Sequence, residues 1–430
     1  MALTIHHWVS IAVFLAAYAG ITLEHKNHID KSYWALGAGL FVWVYGVATQ
    51  IIPHPEEELL HHGWDVFTIV LFVWFAMYLI EILVHAGAFS IVKWGLTRLP
   101  VGDRVLVALI GVVTFFLSSQ LDNLTTALIM SRLVMEIFTS RRNRIMAVGL
   151  VIITANAGGV WWFTGDLTTV MLAGAKKFTV EELLRYGFLP SIVGATVAGF
   201  MLIRKMEHNG GHKIIKSHIH LQRGALIIIP TAMAGFLLSL VMHNMHLPLF
   251  FGPMAGIVAC GAIMSRLHIK PEAEDSHTDH ILIQLMKRVE PSPLFFFTGI
   301  LLAVGGLTSM GILQAASEFA LGADPTVIRI FVVLVVIGVA SAIFDNIPLV
   351  AAAMNIIRSV NPFHWVFLAY TAGTGGSMLG PGSAAGVVAM SVNKDIDFRT
   401  YVREISPAAA ACFLTGVVWM MVDYAISFGF

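Results

Sequence analysis

The sequence predicts an all-α polytopic membrane protein with an inverted-topology repeat: about ten transmembrane helices, two re-entrant helical hairpins and two broken helices. Three observations carry that expectation. The composition suits lipid, two apolar segments are too long for one crossing yet polar at their centres, and both centres carry the same motif.

Of 430 residues, 57% are hydrophobic and 12% are charged, against roughly 45–50% and 25% in a soluble domain. A helix crosses about 30 Å of hydrocarbon with roughly 20 residues, so the apolar runs supply about ten crossings and leave no room for a soluble domain. The partner so implied is a lipid bilayer. A formal net charge of zero argues against a nucleic-acid partner. Cys260 and Cys412 lie far apart inside apolar segments, so they read as packing residues rather than a disulfide or a thiolate metal site. The opening run, MALTIHHWVSIAVFLAAYAG, lacks the basic flank of a secretory signal and reads as the first crossing.

Apolar segments fall near 5–23, 32–53, 64–86, 102–139, 145–174, 180–203, 222–243, 247–267, 293–316, 325–359, 364–391 and 400–428, and 88–98 reads as a short interfacial helix. The segments 102–139 and 325–359 are the hairpins, since a chain that turns back inside the membrane needs a polar, protein-lined centre. With those two entering and leaving on one face, the basic residues sort consistently. Arg98, Arg104, Arg141, Arg142, Arg144, Arg204, Lys205, Lys213, Lys216, Arg223, Lys287, Arg288, Lys394 and Arg399 all fall on the cytoplasmic side, which leaves both termini periplasmic. Five crossings per half then turn the second half upside down. The domains so read are a first repeat over 1–206, a cytoplasmic linker over 207–221 and a second repeat over 222–430.

The hairpin centres read Ser118-Ser-Gln-Leu-Asp122-Asn123 and Ser341-Ala-Ile-Phe-Asp345-Asn346, each S-x-x-x-D-N followed by an aliphatic residue. A carboxylate in mid-membrane costs roughly 2.5–3.5 kcal/mol on insertion scales, so it marks a cavity or a counter-ion. The plainer reading is helix capping, but Asn or Ser would cap as well without a charge. After each hairpin comes a segment whose centre cannot be continuous helix. The first is Thr154-Ala-Asn156-Ala-Gly158-Gly159-Val-Trp-Trp-Phe-Thr164-Gly165-Asp166-Leu-Thr168-Thr169, within 145–174. The second, within 364–391, is Thr371-Ala-Gly373-Thr374-Gly375-Gly376-Ser377-Met-Leu-Gly380-Pro381-Gly382-Ser383. Glycine lowers helix propensity by about 1 kcal/mol and proline by about 3 relative to alanine. Such breaks expose carbonyls and amides to a transported ion; small-residue packing would explain the glycines alone.

Together these stretches offer oxygen ligands from Asp122, Asn123, Asn156, Asp166, Thr168, Asp345, Asn346, Ser377 and Ser383, with no Arg or Lys among them. Such a set suits a small hard cation. A carboxylate removed from water holds either a proton or a cation but seldom both, which is the simplest basis for exchange.

The stretches SSQLDNLTTALIM, TANAGGVWWFTGDLTTVML, FDNIPLVAAAM and LAYTAGTGGSMLGPGSAAGVVAM resemble those of the NhaD-type sodium/proton antiporters of the ion transporter superfamily. The likeness spans both halves. It implies exchange of Na+ or Li+ for H+ across a bacterial inner membrane, no cofactor, a homodimer with scaffold and transport domains, and an elevator-like movement. It also implies that Asp122, Asn123, Asn156, Asp166, Thr168, Thr169, Ser341, Asp345, Asn346, Ser377 and Ser383 contribute to ion binding, with Na+ held through Asp122, Asn123, Asp345 and Asn346. Gly380-Pro381 departs from the aliphatic residues expected there.

Two other functions compete. Dicarboxylate-transporting relatives are similar but carry Ser-Asn-Thr at the hairpin tips, where Asp122 and Asp345 here would repel an anion. An intramembrane aspartyl hydrolase could pair Gly165-Asp166 with Phe344-Asp345, but Phe163 stands where its Gly-x-Gly-Asp pattern needs glycine. The eighteen histidines lie mostly in loops and segment ends, where they read as solvated surface groups.

Overall fold

The computed structural model describes residues 3–22, 24–207, 221–269, 281–380 and 382–429. Pro381 and the linker residues 208–220, with Lys213 and Lys216, lie outside the described residues. The regular elements among those described are helices, and eight are long and apolar enough to cross a membrane.

The chain divides into two compact units, and each draws on both sequence halves. The first comprises Met1–Leu83, Leu226–Ile330 and Ala351–Arg358; the second comprises Val84–Ala225, Phe331–Val350 and Ser359–Phe430.

In the first unit the helices Lys31–Ala48 and Ser292–Ser309 pack side by side. The Trp43 indole N–H donates to the Leu302 carbonyl at 2.9 Å. Asp30 caps one helix through the Ser32 amide at 2.8 Å and accepts the Ser292 hydroxyl at the start of the other at 2.8 Å. Partial burial pushes the Asp30 carboxyl up, but the bonds from Ser32 and Ser292, with Lys31 beside it, outweigh that and hold it below the ordinary carboxylate range. A carboxyl lowered in the folded state stabilises fully above its unfolded value, about 3.9, and loses that contribution as pH falls through the folded value. Asp30→Ala is therefore expected to lower the stability of the solubilised protein by about 1 kcal/mol at neutral pH. In thermal unfolding the gap to the parent should narrow as the pH drops below the ordinary carboxylate range.

The segment expected at 293–316 is two helices, Ser292–Ser309 and Ile312–Leu321. Gly311, at φ 77°, turns the chain between them in the left-handed region open to glycine. Gly87, at φ 89°, does the same before Ala88–Thr97, the short helix read at 88–98. The segment read at 400–428 is likewise divided, into Phe398–Glu404 and Ser406–Phe428.

The second unit holds the interrupted elements. The first hairpin is Asp103–Gln120 and Asn123–Ile137, and the second is Val327–Ala340 and Asn346–Ile356, whose outer ends belong to the first unit. The broken helices are Arg141–Val160 with Leu167–Gly174, and Pro362–Gly375 with Ala384–Val392. Polar contacts fix their directions. At one end Asn143 donates to Asp103 at 3.0 Å, so the first hairpin starts and finishes there. At that same end Arg144 pairs with Asp395 at 2.7 Å, joining the start of one broken helix to the chain just beyond the other. At the opposite end Lys177 lies 4.3 Å over the Trp365 ring, and Phe331 of the second hairpin packs on His364 with ring centroids 5.4 Å apart. The broken helices thus run antiparallel, and the hairpins open at opposite ends of this unit. Val180–Arg204 and Ser406–Phe428 are also antiparallel, with Lys205 bonded to the Glu404 carbonyl at one end and Tyr186 near Phe428 at the other.

Candidate functional site

Both hairpins turn at their aspartates. Leu121 and Asp122 are extended, and the Asp122 carboxylate caps the second arm by accepting the Thr125 amide at 2.7 Å. In the other hairpin the Asp345 carboxylate accepts the Ile347 amide at 3.1 Å. Both side chains therefore do cap, and both remain partly exposed.

Each hairpin is pinned to the broken helix of its own half in the same way. Ser118 Oγ donates to the Ala155 carbonyl at 2.6 Å, and Ser341 Oγ donates to the Ala372 carbonyl at 2.7 Å. The helix backbones approach closely enough that a Cβ on Gly158 would meet the Phe115 carbonyl, and one on Gly375 would meet the Gly338 carbonyl. Gly165 and Gly382 sit against the backbone of Ser118 and Ser341 in the same manner. Glycine is required there by space rather than by φ. The positive φ falls at Gly380, at 80°, inside the second break.

The interrupted ends bring two hydrogen-bonded groups together. In the first, Asn123 Nδ2 donates to Asn156 Oδ1 at 3.0 Å, and Asn156 Nδ2 donates to Ser377 Oγ at 2.7 Å and Ser383 Oγ at 2.9 Å. One fully buried amide so links the first hairpin to the second broken helix. In the second, the Asp166 carboxylate, 3% exposed, accepts Thr168 Oγ1 at 2.8 Å and Asn346 Nδ2 at 3.2 Å. These donors are neutral, and Asp345 lies within electrostatic range of Asp166. Gly373 lies beside Asp166, where an added Cβ would stand 3.4 Å from Oδ2.

Of the residues singled out in the sequence, Asn123, Asn156, Ser377 and Ser383 form one group, and Asp166, Thr168 and Asn346 form the other. Ser118 and Ser341 serve the backbone, and Thr169 reaches the Val160 carbonyl at 3.5 Å. Gly159 and Gly376 sit against Gly165 and Gly382 across their own breaks. Sequence reasoning missed Tyr401, whose buried hydroxyl donates to the Ser377 carbonyl at 2.6 Å and anchors the second break. It stands in a run that reads as ordinary apolar helix, so nothing local marks it.

The two groups hold one buried carboxylate, Asp166, among amides and hydroxyls, and neither includes a basic side chain. A buried carboxylate among neutral oxygen donors is the chemistry that suits either a proton or a small hard cation.

Residues 18–375 match the family described as citrate transporter. Sodium/proton antiporter 1 of Arabidopsis thaliana is 32% identical over 444 residues, covering 98% of this chain and 75% of that protein. The Na(+)/H(+) antiporter NhaD of Alkalimonas amylolytica is 29% identical, covering 89% of this chain and 83% of its own. Among solved structures, the YdaH transporter of Alcanivorax borkumensis shares the fold, with a TM-score of 0.55, 12% identity and 99% of each chain covered.

Proposed function

Because the chain belongs to the citrate transporter family and is an NhaD-type transporter rather than an enzyme, we propose that it exchanges Na+ or Li+ for H+ through the carboxylates of its second unit. The observation that supports this most is Asp166, buried and hydrogen-bonded by Thr168 and Asn346, with the hairpin-tip carboxylates Asp122 and Asp345 as the further acidic groups. A carboxylate held only by neutral donors keeps its charge available for whichever cation arrives.

In this reading Na+ displaces the proton on one side of the membrane, and the proton displaces Na+ on the other. Asp122, Asn123, Asp345 and Asn346 bring the hairpin tips to the ion, while Asn156, Ser377 and Ser383 hold the breaks in register. The second unit moves as an elevator against a scaffold within a homodimer. The arginine-rich end, with Arg141, Arg142 and Arg144, faces the cytoplasm, so both termini are periplasmic in a bacterial inner membrane. The inverted repeats run over 1–206 and 222–430.

Addition of Na+ or Li+ to acid-loaded everted vesicles or proteoliposomes is expected to collapse the pH gradient. No response to either ion between pH 7 and 9 would overturn the proposal. The family's description raises carboxylate uptake as a second reading. An anionic cargo seeking Asn346 and Thr168 would have to displace Asp166 from both, against its charge. Uptake of radiolabelled citrate or succinate driven by Na+ would favour that reading instead.

A further inference from the structure

An apolar groove of about 290 Å³ runs along the second unit between the first hairpin arm, the helix Arg141–Val160 and the helix Val180–Arg204. Its floor is hollowed by Gly111 and Gly199 on either side of Leu150. Its rim carries Val112, Phe116 and Phe200, which are 53%, 45% and 61% exposed. Such side chains on a membrane protein meet lipid tails.

The groove ends in positive charge. Arg204 follows Ile203 of the lining, and its guanidinium lies 5.0 Å over the Phe200 ring. Arg104 stands one helical turn before Ala108 of the lining and donates to the Met206 carbonyl at 3.4 Å. Asp103, which accepts from Asn143, and Glu207, which accepts from Ser140, keep their charges at this end, and Arg142, bonded to the Lys205 carbonyl at 2.6 Å, leaves the positive charge in excess. Two exposed guanidiniums at the mouth of an apolar channel complement one molecule with an anionic head and a hydrocarbon tail.

We propose that this groove binds an anionic phospholipid, its acyl chain along Gly111, Leu150 and Gly199 and its phosphate at Arg104 and Arg204. The lining includes none of the residues assigned to the ion, so the proposal does not rest on the exchange reaction.

The test is to delipidate the detergent-solubilised protein, titrate it with dioleoyl phosphatidylglycerol or dioleoyl phosphatidylcholine, and count bound lipid by native mass spectrometry. The anionic lipid should bind more tightly by about tenfold or more. The double variant Arg104→Gln, Arg204→Gln should lose that preference. A Cβ on Gly199 meets Leu150 Cδ1 at an ordinary 3.5 Å, so Gly199→Leu fills the groove and should reduce binding of both lipids. Equal affinity of the parent protein for the two lipids, or an unchanged preference in the double variant, would overturn the proposal. Competition by millimolar inorganic phosphate as effective as that by whole lipid would overturn the role of the acyl chain. If Thr196→Cys, on the exposed lining, links two copies by a disulfide in native membranes, the occupant is a second chain and the proposal fails. Should Gly199→Leu not fold, the double variant decides.

Discussion

Asp166→Asn is expected to abolish Na+-driven proton movement while leaving the fold intact. The two side chains are nearly isosteric, and the amide oxygen still accepts the bonds that Thr168 and Asn346 now give the carboxylate. What disappears is the charge. A unit charge about 4 Å from a cation contributes about 4 kcal/mol at the effective dielectric of a protein site, so cation affinity should fall by about two to three orders of magnitude. Proton exchange on that side chain is lost with it. Fluorescence of a pH-gradient dye in proteoliposomes reads the exchange, and size-exclusion chromatography of the variant reads the fold. Full exchange by a folded Asp166→Asn protein would remove Asp166 from the reaction.

The second large effect is expected at the hairpin tips, where a cap and a charge can be separated. Asp122 and Asp345 each accept a backbone amide of the arm they start, and asparagine caps a helix about as well as aspartate. Asp122→Asn and Asp345→Asn should therefore leave stability nearly unchanged, yet each should abolish coupled exchange. Alanine at the same positions should remove the cap as well, lowering stability by about 1 kcal/mol. If both asparagine variants exchange Na+ for H+ at the parental rate, these aspartates are caps and nothing more.

Much of this architecture is visible in the sequence because the membrane makes polar residues conspicuous. Asp122-Asn123 and Asp345-Asn346 interrupt long apolar runs, so the hairpins stand out, and the glycine-rich runs point to the breaks without locating them: Gly158, Gly159, Gly373 and Gly375 lie in the last turns of Arg141–Val160 and Pro362–Gly375, and the chain leaves the helix just after them. The break at Gly311 is less visible, since one glycine in an apolar run more often serves packing than a turn. The pairing across the halves is not visible at all. Asn156 reaches Ser377 and Ser383, and Asn346 reaches Asp166, only because the broken helices run antiparallel, and no local pattern encodes which polar group of one half meets which of the other. For the same reason Ser341 and Asp166 read alike as ion ligands in the sequence, whereas the fold gives Ser341, like Ser118, to a backbone carbonyl and Asp166 to a buried amide and hydroxyl.

The proposed competition of cation and proton for the same oxygens is read most directly by adding Na+ to the solubilised protein in weak buffer and recording the pH. Na+ should release protons from the parent protein in proportion to the Na+ bound, and far fewer from Asp166→Asn. Na+ binding with no proton release at any pH between 6 and 9 would contradict the shared site.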